Sequence, residues 1–456
     1  MPWKHVSPNQ YERPFDALET LYRAVADSTA QFNKHHYFIT SVIKLKHQPS
    51  VPALQHAWAR LRHQHPKIAT VPNKTGTRLV YRVPSRQELE SWMQTTFQVH
   101  FKVTSNAEVF DSRAPASTHF MLHYIPHSRE LLFRSPQWRI DGIGMILLQN
   151  CFLTFLSNAN SCVPDFDGSE VPRLPPGFER ELGFALKITG RMQNAAKKEL
   201  SVFANGLQPA SLRPSIMSVA TPGASQRGSV SFTKLTSDKI FAESKRRGLK
   251  VTTAVQAALF LTARQYMTPQ DGALMCFNTY NIRNRLHWPW NSPQGATGLF
   301  HTGRPCSIDL SSHTDFASFA SSLRAHYEQD LGPLFDFMIP YVQSVQELLA
   351  APYELVINSP GAAHVEMSSL GVMNDRLQRQ FQGPSSTIEI EDWWLGVHVA
   401  NRILQTFVWT WDGKLNLSCH YNDAFYKSDF VEQFCRQWAL TLKKELAPYP
   451  DVSVVV

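Results

Sequence analysis

Residues 131–145 constrain the first half of this chain more than any other stretch. Leu131, Leu132 and Phe133 carry the pattern of a buried strand, and Ile143, Met145, Ile146 and Leu147, continuing to Phe155 and Leu156, carry that of a buried helix. Asp141, Gly142 and Gly144 lie between them and specify a tight turn. A strand that enters such a turn and leaves as a helix presents unpaired backbone N–H groups at the helix start, which suits a binding or catalytic site.

The turn reads Arg134-Ser-Pro-Gln-Trp-Arg-Ile-Asp-Gly142. It resembles the His-x-x-x-Asp-Gly motif of the CoA-dependent acyltransferase and condensation-domain superfamily. In that family the His is the general base for an acceptor hydroxyl or amine, and the Asp is structural, held by an ion pair with an Arg. Asp141 and Gly142 match the motif, with Arg283 or Arg285 as the candidate partner, whereas the position of the base is Gln137, preceded by Pro136. An amide has no group that titrates near neutral pH, so the frame is present without its base. Arg62-His-Gln-His-Pro66, the Gly248-punctuated pair of helices, Asn281-Ile-Arg283 and Ser368-Ser-Leu-Gly371 resemble further family segments in the family's order. The layout is similar to fungal trichothecene-type O-acetyltransferases. The resemblance implies an α/β fold of two chloramphenicol-acetyltransferase-like halves, a V-shaped pseudo-dimer around a central tunnel. It places the halves at 1–205 and 229–456, joined by a Pro-, Gly- and Ser-rich linker at 206–228.

Composition narrows the function class. With 456 residues, 43% hydrophobic and 18% charged, there is apolar material for more than one core. The net charge of +8 is scattered, and its densest run is only Lys245-Arg246-Arg247, so nucleic acid is not an expected partner. The 18 His and 6 Cys show no metal-ligand spacing and no C-x-x-C pair, which predicts no metal and a reduced, cytoplasmic protein. The first residues lack an apolar signal core, and no apolar run approaches the ~20 residues that span a bilayer. The expectation is a monomer acting on a small apolar molecule.

Periodicity places helices at 16–30, 52–65, 87–95, 143–157, 179–205, 237–247 (capped by Thr236), 252–266, 341–349 and 428–445. It places strands at 36–46, 79–83, 119–125, 131–133, 228–234, 273–280, 397–399, 404–409 and 414–420. Residues 1–14 read as a polar arm and 158–177 as a loop.

The candidate chemistry follows from the missing base. Gln137 can orient a substrate oxygen, and Trp138 can supply an apolar wall or a ring face for a developing cation. His119, His123, His301, His398 and His420 are candidates both for the tunnel wall and for a replacement base, and Tyr280 and Trp394 are further wall candidates. Three functions are open. The first is a cofactor-free cyclisation of a terpenoid or polyketide, in its sharpest form a Diels–Alder-type pericyclic step governed by positioning. The second is acyl transfer from acetyl-CoA with a substitute base. The third is a non-catalytic ligand-binding or scaffold protein.

Overall fold

The computed structural model describes residues 2–110, 117–158, 162–213, 221–384 and 386–447. Residues 159–161 of the expected loop and 214–220 of the expected linker lie outside the described residues.

The strand Glu130–Ser135 is buried along its whole length and is central in a six-stranded sheet. In spatial order the strands are Gln380–Gln382, Thr387–Val397, Ile39–Leu45, Glu130–Ser135, Met121–Ile125 and Phe97–Val99. A segment late in the sequence therefore completes the sheet begun by the first half. Trp394 pairs with Val42 and Gly396 with Thr40 in an antiparallel register. The helices Val51–Gln64 and Gly142–Ser157 cover this sheet, and Trp58, Leu61, Phe133, Phe152 and Trp393 are buried in the shared core. Ser50 starts the first of these helices, accepting the Ala53 N–H, with Pro52 in the first turn where its missing N–H costs nothing.

A second sheet orders Ser225–Ser231, Lys414–Asn422, Leu404–Trp411 and Val365–Val372. Its core is closed by the helices Val251–Arg264 and Ser428–Leu446, with Phe260, Phe434 and Trp438 fully buried. A third apolar cluster joins the helix Ala17–Asp27, through Leu18, Leu21 and Val25, to Met338, Tyr341 and Val342 of the helix Met338–Leu349. The mixed α/β architecture positions the turn at 134–142 between these cores.

Several local expectations are corrected. The arm 1–14 holds two strands, Lys4–Ser7 and Gln10–Pro14, the latter paired with Arg78–Arg82. The helix expected over 179–205 is broken at Gly183, whose φ is +67°, and resumes at Gly190–Leu200. Thr233, not Thr236, caps the helix Lys234–Arg246, its hydroxyl accepting the Thr236 N–H at 3.2 Å. Within the linker expected at 206–228, Ser211–Leu212 pairs with Met267–Thr268 and Ser225 already belongs to the second sheet. The strand read at 397–399 is the end of the longer Thr387–Val397. The strand His301–Asp309, paired along its length with Ala273–Asn281, is not foreshadowed by periodicity.

Candidate active site

Between Ser135 and Asp141 the chain coils through two successive tight turns, Arg139 N–H donating to the Pro136 carbonyl at 3.1 Å and Ile140 N–H to the Gln137 carbonyl at 3.2 Å. Asp141 follows in extended geometry (φ −95°, ψ 175°) and caps the helix Gly142–Ser157, its Oδ1 accepting the Gly144 N–H at 2.7 Å. Its Oδ2 accepts the Phe300 N–H at 2.8 Å and the Arg283 Nη1 at 2.9 Å, and Arg283 Nη2 lies 2.9 Å from Oδ1. Arg283 thus forks across both carboxylate oxygens. Arg285 lies instead over the Phe335 ring at 4.5 Å. Burial alone would raise the Asp141 pKa, but Arg283, with His301, holds it well below the usual carboxylate range. With four donors committed to it, Asp141 organises the turn and has no free lone pair aimed at a substrate.

Gly144 is required by close approach. A Cβ there would overlap the Ala296 carbonyl oxygen and crowd Arg283 Nη2 and Ile140 Cγ1, each at 3.0 Å. Gly144→Ala is expected to destabilise by about 1–3 kcal/mol through overpacking, read as a lower urea midpoint at unchanged slope.

A cavity of about 520 Å³ opens in front of the turn, lined by residues of both halves of the sequence. Gln137, Asp141 and Ile143 come from the turn, Tyr280, Arg283 and His301 from the paired strands and their connection, and Tyr22 from the helix Ala17–Asp27. The Gln137 Oε1 and the Tyr280 hydroxyl are buried without a hydrogen-bond partner among the described residues. Both residues belong to the cavity lining.

His301, at the start of its strand, is held between two groups. Its Nε2 lies 2.6 Å from the Tyr22 hydroxyl, and its Nδ1 lies 3.6 Å from Asp141 Oδ2. The second distance makes an electrostatic contact rather than a hydrogen bond. Nδ1 has no hydrogen-bond partner among the described residues; since an ionised carboxylate only accepts, the tautomer that suits this pair carries its proton on Nδ1 and lets Nε2 accept from the phenol. Burial, with Asp141 and Glu366 adding, pushes the Tyr22 pKa well above its ordinary value, so the phenol is a neutral donor.

The other sequence candidates lie elsewhere. Trp138 is buried and packs edge-on against Phe15 at 5.9 Å, with the Arg139 guanidinium 4.3 Å from its ring, so it does not line the cavity. Trp394 packs on Phe110 and His420. His123 Nδ1 meets His100 Nε2 at 2.9 Å, His398 contacts Thr40 and Arg134 at 3.4 Å, and His420 contacts Ser418 at 3.3 Å. Burial pushes the pKa of these three well below the ordinary imidazole value, with Arg134 acting further on His123 and His398 and Arg227 on His420. They are neutral residues of the packed interior. His119 is half-buried near Arg139 and is also outside the lining. Of the five His candidates, His301 alone lines this cavity. Sequence reasoning does not single out Tyr22 or Glu366, although both line it. Tyr22 shares a helical stripe with Leu18, Leu21 and Val25, where a tyrosine reads as packing.

No protein-family model matches the chain. It is 28% identical over 443 residues to acetyltransferase pigO of Monascus ruber, covering 93% of this chain and 94% of that protein. It is 26% identical to O-acetyltransferase pigM of the same organism, over all of this chain and 89% of the relative. Among solved structures it superposes on trichothecene 15-O-acetyltransferase from Fusarium sporotrichioides with a TM-score of 0.80 at 15% identity, covering 96% of both chains. The chain has a condensation-domain-like fold. The Asp141–Arg283 ion pair is the contact that the resemblance of the 134–142 turn implies.

Lys250 and Arg376 join Arg283 among the cations of the lining, with Thr252, Ser368 and Ser369 beside them. Arg376 Nη1 donates to the Leu370 carbonyl at 2.7 Å. Among the described residues, no helix is long and apolar enough to cross a membrane.

Proposed function

We propose that this protein is a secondary-metabolite acyltransferase that esterifies a hydroxyl group of a largely apolar acceptor from an acyl-CoA. The observation that carries this is His301, an imidazole on the cavity wall with Asp141 on one side and Tyr22 on the other. It returns proton-accepting capacity to a cavity whose motif position is an amide. The acetyltransferase names of the two Monascus relatives support the same reading. The donor supplies an activated thioester, which Lys250 and Arg376 would hold by its phosphates. Leu18, Leu21, Ile39, Phe277, Leu395 and Phe407 give the acceptor an apolar bed. Gln137 Oε1 is left to accept one hydrogen bond from a bound substrate.

Calorimetry with acetyl-CoA, followed by mass spectrometry of acceptor mixtures, tests this. Micromolar binding and products heavier by one acyl group are expected; no binding, with no acylated product, sinks it. Because Gln137 orients and does not take the proton, Gln137→Ala is expected to lower kcat/KM only about tenfold, the worth of one hydrogen bond. A loss of several thousandfold would place the chemistry at Gln137 after all.

A second reading is favoured by the two uncommitted polar groups, Gln137 Oε1 and the Tyr280 hydroxyl, set in apolar walls. Such a cavity can fold an apolar polyene for cyclisation, with the Tyr280 hydroxyl polarising a carbonyl. Its mark is a product of unchanged mass formed without acetyl-CoA.

A further inference from the structure

We infer that Tyr22 is the catalytic residue that touches the acceptor, and that His301 takes the proton through it rather than from the substrate directly. The inference rests on the acyl-transfer reading and names how that site works.

Both ring nitrogens of His301 face groups of the protein, and Nε2 is hydrogen-bonded. Nδ1 faces Asp141 Oδ2 at 3.6 Å, and Nε2 meets the Tyr22 hydroxyl at 2.6 Å. An acceptor hydroxyl cannot reach Nε2 without displacing the phenol. Tyr22 lines the cavity, and its oxygen keeps a lone pair free while its proton points at Nε2, so the phenol is the member of the pair placed to meet an acceptor hydroxyl. Asp141 is fixed by Arg283 and by the Gly144 and Phe300 N–H groups, so it cannot turn to accept a proton itself. It sets the tautomer of His301 and stabilises the imidazolium once formed.

The step balances as a paired transfer. The acceptor O–H bond breaks and its proton goes to the Tyr22 oxygen as the original phenol proton passes to His301 Nε2. The acceptor oxygen forms a bond to the thioester carbonyl carbon, the C–S bond breaks with its electron pair leaving on sulfur, and the thiolate recovers the proton back through Tyr22. Neutral Tyr22 and neutral His301 are restored. A free phenolate never forms, which matters because burial, Asp141 and Glu366 all oppose one there. The relay also explains how Gln137 is tolerated. The base is supplied by the second half of the sequence and handed across by a helix near the start of the chain, 279 residues away.

The test uses the full-length chain with acetyl-CoA as donor and 1-(2-naphthyl)ethanol or water as acceptor, following thiol release. Tyr22→Phe is expected to lower kcat at least 100-fold with the KM for acetyl-CoA within threefold of the parent. His301→Gln is expected to do the same. The double variant should be no slower than the worse single one, since serial members of one relay do not add. A Tyr22→Phe enzyme within threefold of the parent, alongside a dead His301→Gln, overturns the relay and leaves the acyltransferase standing with His301 acting directly. A raised KM at unchanged kcat makes Tyr22 a binding group and also overturns it. If Phe at this position prevents folding, fluorotyrosine at residue 22 takes its place, and a kcat that does not follow phenol acidity overturns the relay. No thiol release by the parent with either acceptor overturns the acyl-transfer reading, and the relay with it.

Discussion

Arg283→Met is expected to destabilise the protein by about 3–5 kcal/mol, the cost of leaving one charge of a buried pair without its partner. Asp141 and Arg283 are 4% and 6% exposed, so water does not replace the lost guanidinium. The methionine fills most of the volume but donates nothing. Asp141 keeps the Gly144 and Phe300 N–H groups and loses the two contacts at 2.9 Å. The Gly298 carbonyl, which accepts from Arg283 Nη2 at 3.2 Å, is orphaned as well. Asp141→Asn should cost a comparable amount, about 3–5 kcal/mol, because the cap survives but Arg283 is left buried without its counter-charge. In the double variant the two costs should not add, and urea midpoints of all four proteins measure that coupling. The pH dependence has a definite sign. A carboxyl held below its ordinary value stabilises fully above about pH 4 and loses that contribution as the pH falls below it. In Arg283→Met this acid-side loss should shrink. An Arg283→Met protein as stable as the parent would mean that the pair does not hold the two halves of the motif together.

What the sequence reveals here is what depends on neighbours. The helix start at Pro52 and the turn at Asp141-Gly142 are each decided by a few adjacent residues. The hairpin at Asp412-Gly413, with φ of +51° and +72°, is another such case. That Gln137 occupies the motif's fourth position before Asp141 is legible for the same reason, since the stretch is contiguous. Long-range pairing is not legible. Thr387–Val397 enters the first sheet beside Ile39–Leu45, so Trp394, which reads as a wall aromatic, is consumed by the core together with Trp393. The strand bearing His301 has polar and apolar residues without clean alternation, because it pairs with Ala273–Asn281 in a two-stranded unit whose faces are unequally covered. Five histidines look alike in sequence; burial of His123, His398 and His420 and the cavity beside His301 separate them. Tyr22 could be found only by knowing which face of its helix meets that strand.

That helix is anchored by ionic groups, which makes Glu19 the other position of large expected effect. Glu19 is fully buried and bridges two cations: Arg13 forks onto it at 2.6 and 2.7 Å, and Lys67 Nζ lies 2.7 Å from Oε1. It also closes a capping box with Asp16, each side chain accepting the other's backbone N–H at 2.8 and 3.0 Å. Glu19→Gln keeps the shape and leaves Arg13 and Lys67 buried without a full counter-charge, so a loss of about 3–5 kcal/mol is expected. Burial alone would raise the Glu19 pKa, but Arg13 and Lys67 hold it down to about 2, so its stabilisation is complete above about pH 4.5 and fades toward pH 2. Asp16 works in the opposite sense. Burial, with Glu19 and Glu179 beside it, pushes its carboxyl up to about 7, so the folded state keeps a proton the unfolded chain has released and stability declines as the pH rises from about 4 to 7. Glu19→Gln removes one of the neighbouring anions and should flatten that decline. Because the same helix carries Tyr22 to His301, a loosened anchor should also lower kcat more than it raises KM. Thermal midpoints between pH 4 and 8, with thiol release measured on the same samples, separate the two effects: an unstable variant of full activity would detach the ionic anchor from the site.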